Sequence, residues 1–268
     1  MALVPFPSAT PGDDEDPELE DSGSKMSFLE HLDELRKRLI YIVYSLIAGC
    51  AVAYVFIGKI FDFIMKPMYT LIQTPSGGAK LMYTAGAEPF MLYIKIGFLA
   101  GIFLSSPLIL WQIWKFIAPG LYTHEKKFAI PFVCLSTVFF VAGGLFSHYV
   151  AFPVTWQFFN SFGNEYMVFV PKIDEAFGLY TKMLLGFGVI FEMPTLVFFL
   201  ARMGVVTGQF LLKYFKYAFL IIFIIAAVIS PGTDMMSQIV MAIPMLGLYI
   251  ISIAIAFIFQ KKRNPEAA

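Results

Sequence analysis

Charge is scarce in this chain. Asp, Glu, Lys and Arg make up 14% of its residues, against about a quarter in an ordinary soluble domain. That leaves too little polar side chain to cover a surface built from 59% apolar residues. Cysteine is rarer still: Cys50 and Cys134 both fall inside apolar runs, where a thiol packs as a small hydrophobe, so no disulfide is expected. The three histidines are scattered with no zinc-like spacing, and no resident metal or cofactor is expected. There is no pair of acids set for acid–base work and no glycine-rich phosphate loop. Nothing supports an enzyme, and no nucleic-acid partner is expected.

What the chain has instead is hydrocarbon. It carries 30 Phe and a mean hydropathy of +0.75, which suits a bilayer as solvent. Six stretches meet or approach the length of a spanning helix, at 39–57, 90–114, 128–150, 177–200, 215–229 and 239–259. They do not alternate apolar and polar residues as barrel strands do. Lipid accepts only closed backbone hydrogen bonding, so the expected fold is an all-α integral membrane protein of six transmembrane helices. The fifth and sixth are expected to be short or interrupted: 215–229 reaches only about 22 Å at 1.5 Å per residue, and Pro244 lies early in the sixth. That pair predicts local thinning of the membrane.

The formal net charge is zero, but seven acids crowd into residues 13–21 and the rest of the chain is basic. Residues 1–24 are rich in proline, glycine and acid, cannot repay the entropy of ordering, and are expected to be a disordered tail without a secretory signal. Residues 25–260 form the membrane domain and 261–268 a short basic tail. With the N-terminus inside, thirteen of the 19 lysines and arginines fall on inner segments, so both termini are expected to be cytoplasmic. The outer segments 58–89 and 151–176 are longer and rich in apolar and aromatic residues, and a cap of short helices is expected there.

The densest charge cluster, "EHLDELRKR" at 30–38, stands at the edge of the first apolar run. On a helix, Phe28, Leu32, Leu35 and Leu39 form one apolar stripe. Asp33 with Lys37 and Glu34 with Arg38 stand acid before base at i, i+4 on the charged face. The pattern reads either as an amphipathic entry helix that anchors the first span among membrane lipids or as a docking surface for a cytoplasmic ligand, and spacing does not choose between them. Glu192 is the other outlier, an ionisable group about two thirds along the fourth span, and groups at that depth are usually functional. Desolvation favours its uncharged form, which donates a hydrogen bond to a polar group on another helix. Pro194, just after it, is expected to loosen and tilt the helix.

Four pieces in order, "HLDELRKRL" (31–39), "WKFIAPGLYTHEKK" (114–127), "FEMP" (191–194) and "SPGTDMMSQ" (230–238), together with the six spans, closely resemble the TatC family. This is the multi-spanning core subunit of the twin-arginine protein translocase. The resemblance implies a concave helical bundle in the bacterial inner membrane that binds signal peptides bearing paired arginines. It also implies that the chain assembles with itself and with single-span TatA/TatB-type subunits, and that it exports folded proteins with the proton motive force.

Carried over residue by residue, Glu125 matches the loop glutamate that holds the arginine pair, Glu34 a second acid near it, and Arg36 the motif arginine. Phe116 matches an aromatic of the pocket, while Pro119 and Gly120 shape the loop that presents Glu125. Glu192 matches the acid that meets the partner helix, and Gln238 a polar residue of the same contact. Asp234 matches an aspartate tied to function, and by position it is also suited to cap the sixth helix. The acidic leader is not part of the family pattern. The competing reading is a proton-coupled small-solute transporter built on Glu192. Against it stand the lack of inverted repeats with matched broken helices and the presence of a single deep acid.

Overall fold

The computed structural model describes residues 28–70, 81–117, 129–164, 166, 169–230 and 235–260. Pro119, Gly120, Glu125 and Asp234, the acidic tail 1–24 and the basic tail 261–268 lie outside the described residues. Ten α-helices are formed among the described residues: α1 Phe28–Val55, α2 Ile57–Thr70, α3 Glu88–Ile117, α4 Ala129–Phe146, α5 Phe152–Asn160, α6 Ile173–Phe191, α7 Met193–Arg202, α8 Gly208–Lys213, α9 Phe215–Ile229 and α10 Met235–Phe259. An isolated parallel β-bridge joins Met82 to Lys172.

Five segments are long and apolar enough to cross a membrane: Leu29–Val55, Glu88–Phe116, Ile130–Asn160, Ile173–Arg202 and Gln238–Phe259. Phe215–Ile229 is apolar but shorter, as its length in the sequence required. The last helix corrects an expectation, for it is not short. It starts at Met235 and runs 25 residues with Pro244 inside it, about 37 Å. A helix in lipid tolerates an internal proline where neighbours supply the lost contacts.

Helix α3 shows how such a defect is met. Pro107 cannot donate to the Phe103 carbonyl one turn back. Ser106 Oγ donates to that carbonyl instead, at 2.8 Å, and Ser105 Oγ donates to the Gly101 carbonyl at 2.6 Å. A second defect follows α4, where Ser147–Ala151 forms a π-helical turn and the Phe152 N–H reaches back to the Ser147 carbonyl. The turn stands directly before Pro153, where the ordinary ladder has no donor.

Helices α1 and α3 pack extensively on each other, and small residues let them. A Cβ added at Gly49 would stand 2.6 Å from the Gly101 carbonyl oxygen, and one at Gly101 would stand 2.4 Å from Cys50 Sγ and 2.9 Å from its backbone. Lipid tails are as apolar as leucine, so close backbone approach, not hydrophobic exclusion, holds such a pair together. The α4–α6 contact uses the same device, with a Cβ at Gly143 standing 2.4 Å from the Phe187 carbonyl oxygen.

The main core lies toward the far end of the bundle from the charged start of α1. Met65 and Met68 of α2, Phe152 and Trp156 of α5, Phe177 and Tyr180 of α6, and Met241 and Met245 of α10 are nearly or wholly buried there. At that end the two longer connections are tied together. Met82 N donates to the Pro171 carbonyl at 3.2 Å, Ile173 N donates to the Met82 carbonyl at 2.8 Å, and Lys95 pairs with Asp174.

Because Gly101 has no room for a side chain, Gly101→Val is expected to cost about 1–3 kcal/mol by overpacking and to lower the Tm of the purified chain. Gly58→Ala, at a helical position with open space around it, is expected to leave the Tm unchanged or raise it slightly.

Candidate functional site

Helix α1 is 28 residues long, about 42 Å at 1.5 Å per residue, whereas a hydrocarbon core is about 30 Å thick. Its charged first turns therefore reach beyond the acyl chains. Their orientation reverses the usual amphipathic rule. Leu32, Leu35 and Leu39 of the apolar stripe are exposed at 43%, 44% and 59%, while Glu34 and Arg38 turn toward the bundle, with their side chains 16% and 24% exposed. At the membrane interface the leucine stripe can rest against the boundary of the acyl chains, so the polar face is the one that gains from protein neighbours.

Arg38 Nη2 donates to Glu34 Oε1 at 2.8 Å, and its Nη1 donates to Gln112 Oε1 of α3 at 3.4 Å. Glu34 Oε2 and Arg38 Nε are buried with no hydrogen-bond partner among the described residues. Glu30, Asp33, Glu34, Lys37, Arg38 and Tyr41 line a cleft of about 640 Å³. Beside it His31 stacks on Phe116, with ring centroids 4.5 Å apart. The structure thus brings together Glu34 and Phe116, two residues singled out from sequence. Arg36 is exposed on α1 and does not join them. Of the two acid–base pairs expected on α1, Glu34–Arg38 forms, and Asp33–Lys37 is not an ion pair among the described residues, in keeping with the small worth of exposed pairs.

Gln112 and His31 are the contributors that sequence reasoning missed. Gln112 had one signal, a lone amide within the apolar run of α3. His31 had none, because its ring partner lies on another helix.

At the same end, Trp114 lies tilted against Phe132 with centroids 4.4 Å apart, meets Phe199 edge-on at 4.6 Å, and is itself nearly wholly buried. These rings clasp the end of α3, the start of α4 and the end of α7. Trp114 lies two residues from Gln112 and from Phe116, so this clasp holds the part of α3 that meets Arg38 and His31. Phe198 of α7 meets Phe259 of α10 at 4.9 Å, so the described chain starts and finishes at this end.

Glu192 sits where the fourth long segment breaks. Helix α6 stops at Phe191 and α7 begins at Met193. The Glu192 N–H donates to the Val189 carbonyl at 3.1 Å, three residues back, because Pro194 cannot continue the ladder or fit against its preceding turn. One carboxyl oxygen, Oε1, is buried and unpartnered among the described residues. The hydroxyl of buried Ser136 on α4 is its hydrogen-bonding neighbour. Thr195 Oγ1, one turn on, is also buried without a partner. Gln238 of α10 spends its amide inside the bundle, donating to the Phe223 carbonyl of α9 at 2.7 Å. No cluster of three or more His, Cys, Asp or Glu able to hold a metal exists among the described residues.

The geometry is that of a multi-pass α-helical membrane protein with a polar rim at one end and a kinked helix that presents an acid inside the bundle. Comparison with known proteins narrows the class. Residues 30–244 match the family model described as Sec-independent protein translocase protein (TatC). A TatC protein of Koribacter versatilis is 40% identical over 241 residues, covering 90% of this chain and 89% of that protein. One from Helicobacter pylori is 43% identical over 239 residues, covering 88% and 89%. A crystal structure described as the twin arginine translocase receptor TatC superposes with a TM-score of 0.73 at 35% identity, covering 85% of this chain and 98% of that one. The chain belongs to the TatC family of protein translocase components.

Arg38→Ala is expected to lower the Tm, because it leaves the largely buried Glu34 carboxylate without its cation, a loss of about 1–3 kcal/mol. Arg36→Ala, at an exposed position, is expected to leave the Tm within about half a kcal/mol of the parent. Thermal unfolding of the two variants in one detergent checks both.

Proposed function

We propose that this chain is the receptor subunit of a bacterial twin-arginine translocase, with both termini on the cytoplasmic side. It captures the paired arginines of signal peptides at the Glu34 rim and moves folded cargo with single-span TatA/TatB-type partners and the proton motive force. The observation that carries the reading is the rim itself. A guanidinium seeks carboxylate oxygens in forked geometry, and Glu34 offers a buried, unpartnered oxygen beside a stacked aromatic pair at a cleft rich in acids. Glu125, in a segment whose two flanks are clasped next to that rim, supplies the second carboxylate. Arg38 holds Glu34 in place and sets its orientation. Pro119 and Gly120 shape the presenting loop, and Arg36 is left on the headgroup side.

In the same reading Glu192 greets a single-span partner helix. Its carboxyl keeps one oxygen that the apolar bundle does not satisfy, and the half-buried side chain is where a polar residue on an incoming helix would meet it. Gln238 and Asp234 belong to the neighbouring short-helix region, where α9 gives the partner the thinnest wall to approach. The working complex contains several copies of the chain.

Two measurements test this. A peptide with adjacent arginines is expected to bind the purified chain at least ten times more tightly than its two-lysine counterpart. Glu125→Gln and Glu34→Gln are each expected to remove most of that difference, and equal binding of both peptides to the parent chain would sink the receptor assignment. Separately, Glu192→Ala is expected to leave the protein folded while it abolishes export and crosslinking to the partner subunits. Export and crosslinking that both survive the change would remove Glu192 from the contact.

A further inference from the structure

A second groove lies at the rim end, away from the Glu34 cleft. Pro131, Phe132 and Leu135 of α4 and Phe198 and Phe199 of α7 form its walls, Met203 closes it, and Arg202 stands at its mouth; it holds about 380 Å³. Its level in the membrane is fixed by contact. Phe132 and Phe199 are the rings that clasp Trp114 at the end of α3, and Arg202 is the basic residue in the last turn of α7. The apolar walls therefore run inward from the headgroup level of one leaflet, and the guanidinium sits at that level on an exposed residue.

We propose that this groove is a binding site for an anionic phospholipid, with one acyl chain along Phe132, Leu135 and Phe198 and the phosphate on Arg202. Two physical points select this occupant. A guanidinium at the mouth of an apolar slot between helices complements a phosphodiester over a hydrocarbon tail, and forked N–H donors match phosphate oxygens better than an ammonium does. A signal peptide carries arginines of its own and is repelled by Arg202.

The site has a structural consequence. Its walls are the α4 and α7 partners of Trp114, and α7 begins directly after Glu192. A lipid wedged there supports the clasp that fixes the flanks of residues 118–128, so occupancy stiffens the rim without touching the Glu34 cleft. The inference does not rest on the receptor reading, and no signal peptide enters its test.

The test uses the full chain in detergent and native mass spectrometry after titration with phosphatidylglycerol or phosphatidylcholine of identical acyl chains. One phosphatidylglycerol is expected to stay bound at collision energies that strip phosphatidylcholine, and to raise the Tm more than phosphatidylcholine does. Arg202→Gln is expected to reduce the retained phosphatidylglycerol at least fivefold, to the phosphatidylcholine level, while Arg202→Lys keeps an intermediate share. Leu135→Trp, which fills the slot without touching the charge, is expected to reduce retention of both lipids. Equal retention of the two lipids by the parent chain, or unchanged phosphatidylglycerol binding in both Arg202→Gln and Leu135→Trp, overturns the proposal. Displacement of the lipid by millimolar inorganic phosphate overturns it as well, because it would make the site one for free anions. Should Arg202→Gln fail to fold, Leu135→Trp and the lipid comparison on the parent chain still decide the matter.

Discussion

A solvent that makes no hydrogen bonds is the constraint from which the rest of this molecule follows. In hydrocarbon each backbone N–H and C=O must find its partner within the chain, and prolines inside the helices challenge that demand. At Pro107 serine hydroxyls take up the task. Before Pro153 the ladder shifts into a π-helical turn. Before Pro194 the helix stops and restarts around Glu192. In the last case the repair stays local and leaves an ionisable side chain at the break, with one carboxyl oxygen unpartnered. The defect in the ladder and the candidate functional group are therefore one feature.

The same solvent inverts the logic of amphipathic packing. In water, the leucine stripe of α1 would seek the bundle and the charges would face out. Here the stripe is exposed and Glu34 and Arg38 turn inward to Gln112. Helix contacts then depend on close approach, which Gly49 and Gly101 provide, and on a few aromatic clasps such as Trp114 with Phe132 and Phe199. The rim is accordingly a place where polar groups are held by protein on one side and line a cleft on the other.

How much of this could be read from the chain varies with the range of the interaction. The apolar runs gave the five segments long enough to cross a membrane, and the shorter apolar helix came out with the bounds expected of it, Phe215–Ile229. The break at Glu192 followed from Pro194 two residues on. The last helix was misjudged because Pro244 reads as a stop by local rules, although in lipid a helix passes through it. Arg36 and Arg38 look alike in sequence. Only the second points at Gln112, which is 74 positions away, and no local pattern encodes that choice. The stacking of His31 on Phe116 was hidden for the same reason.

By itself the sequence determined the solvent, the helices, the proline defects and the presence of one deep acid, because these depend on composition and on spacings of a turn or two. The tertiary structure decided which face of α1 looks inward, which basic residue holds Glu34, and that Trp114 clasps the ends of α4 and α7. It also decided that the apolar groove beside Arg202 exists at all. Those outcomes depend on how closely particular helices approach and at what rotation about their axes, and that is set by the glycines, serines and rings of several distant segments acting together.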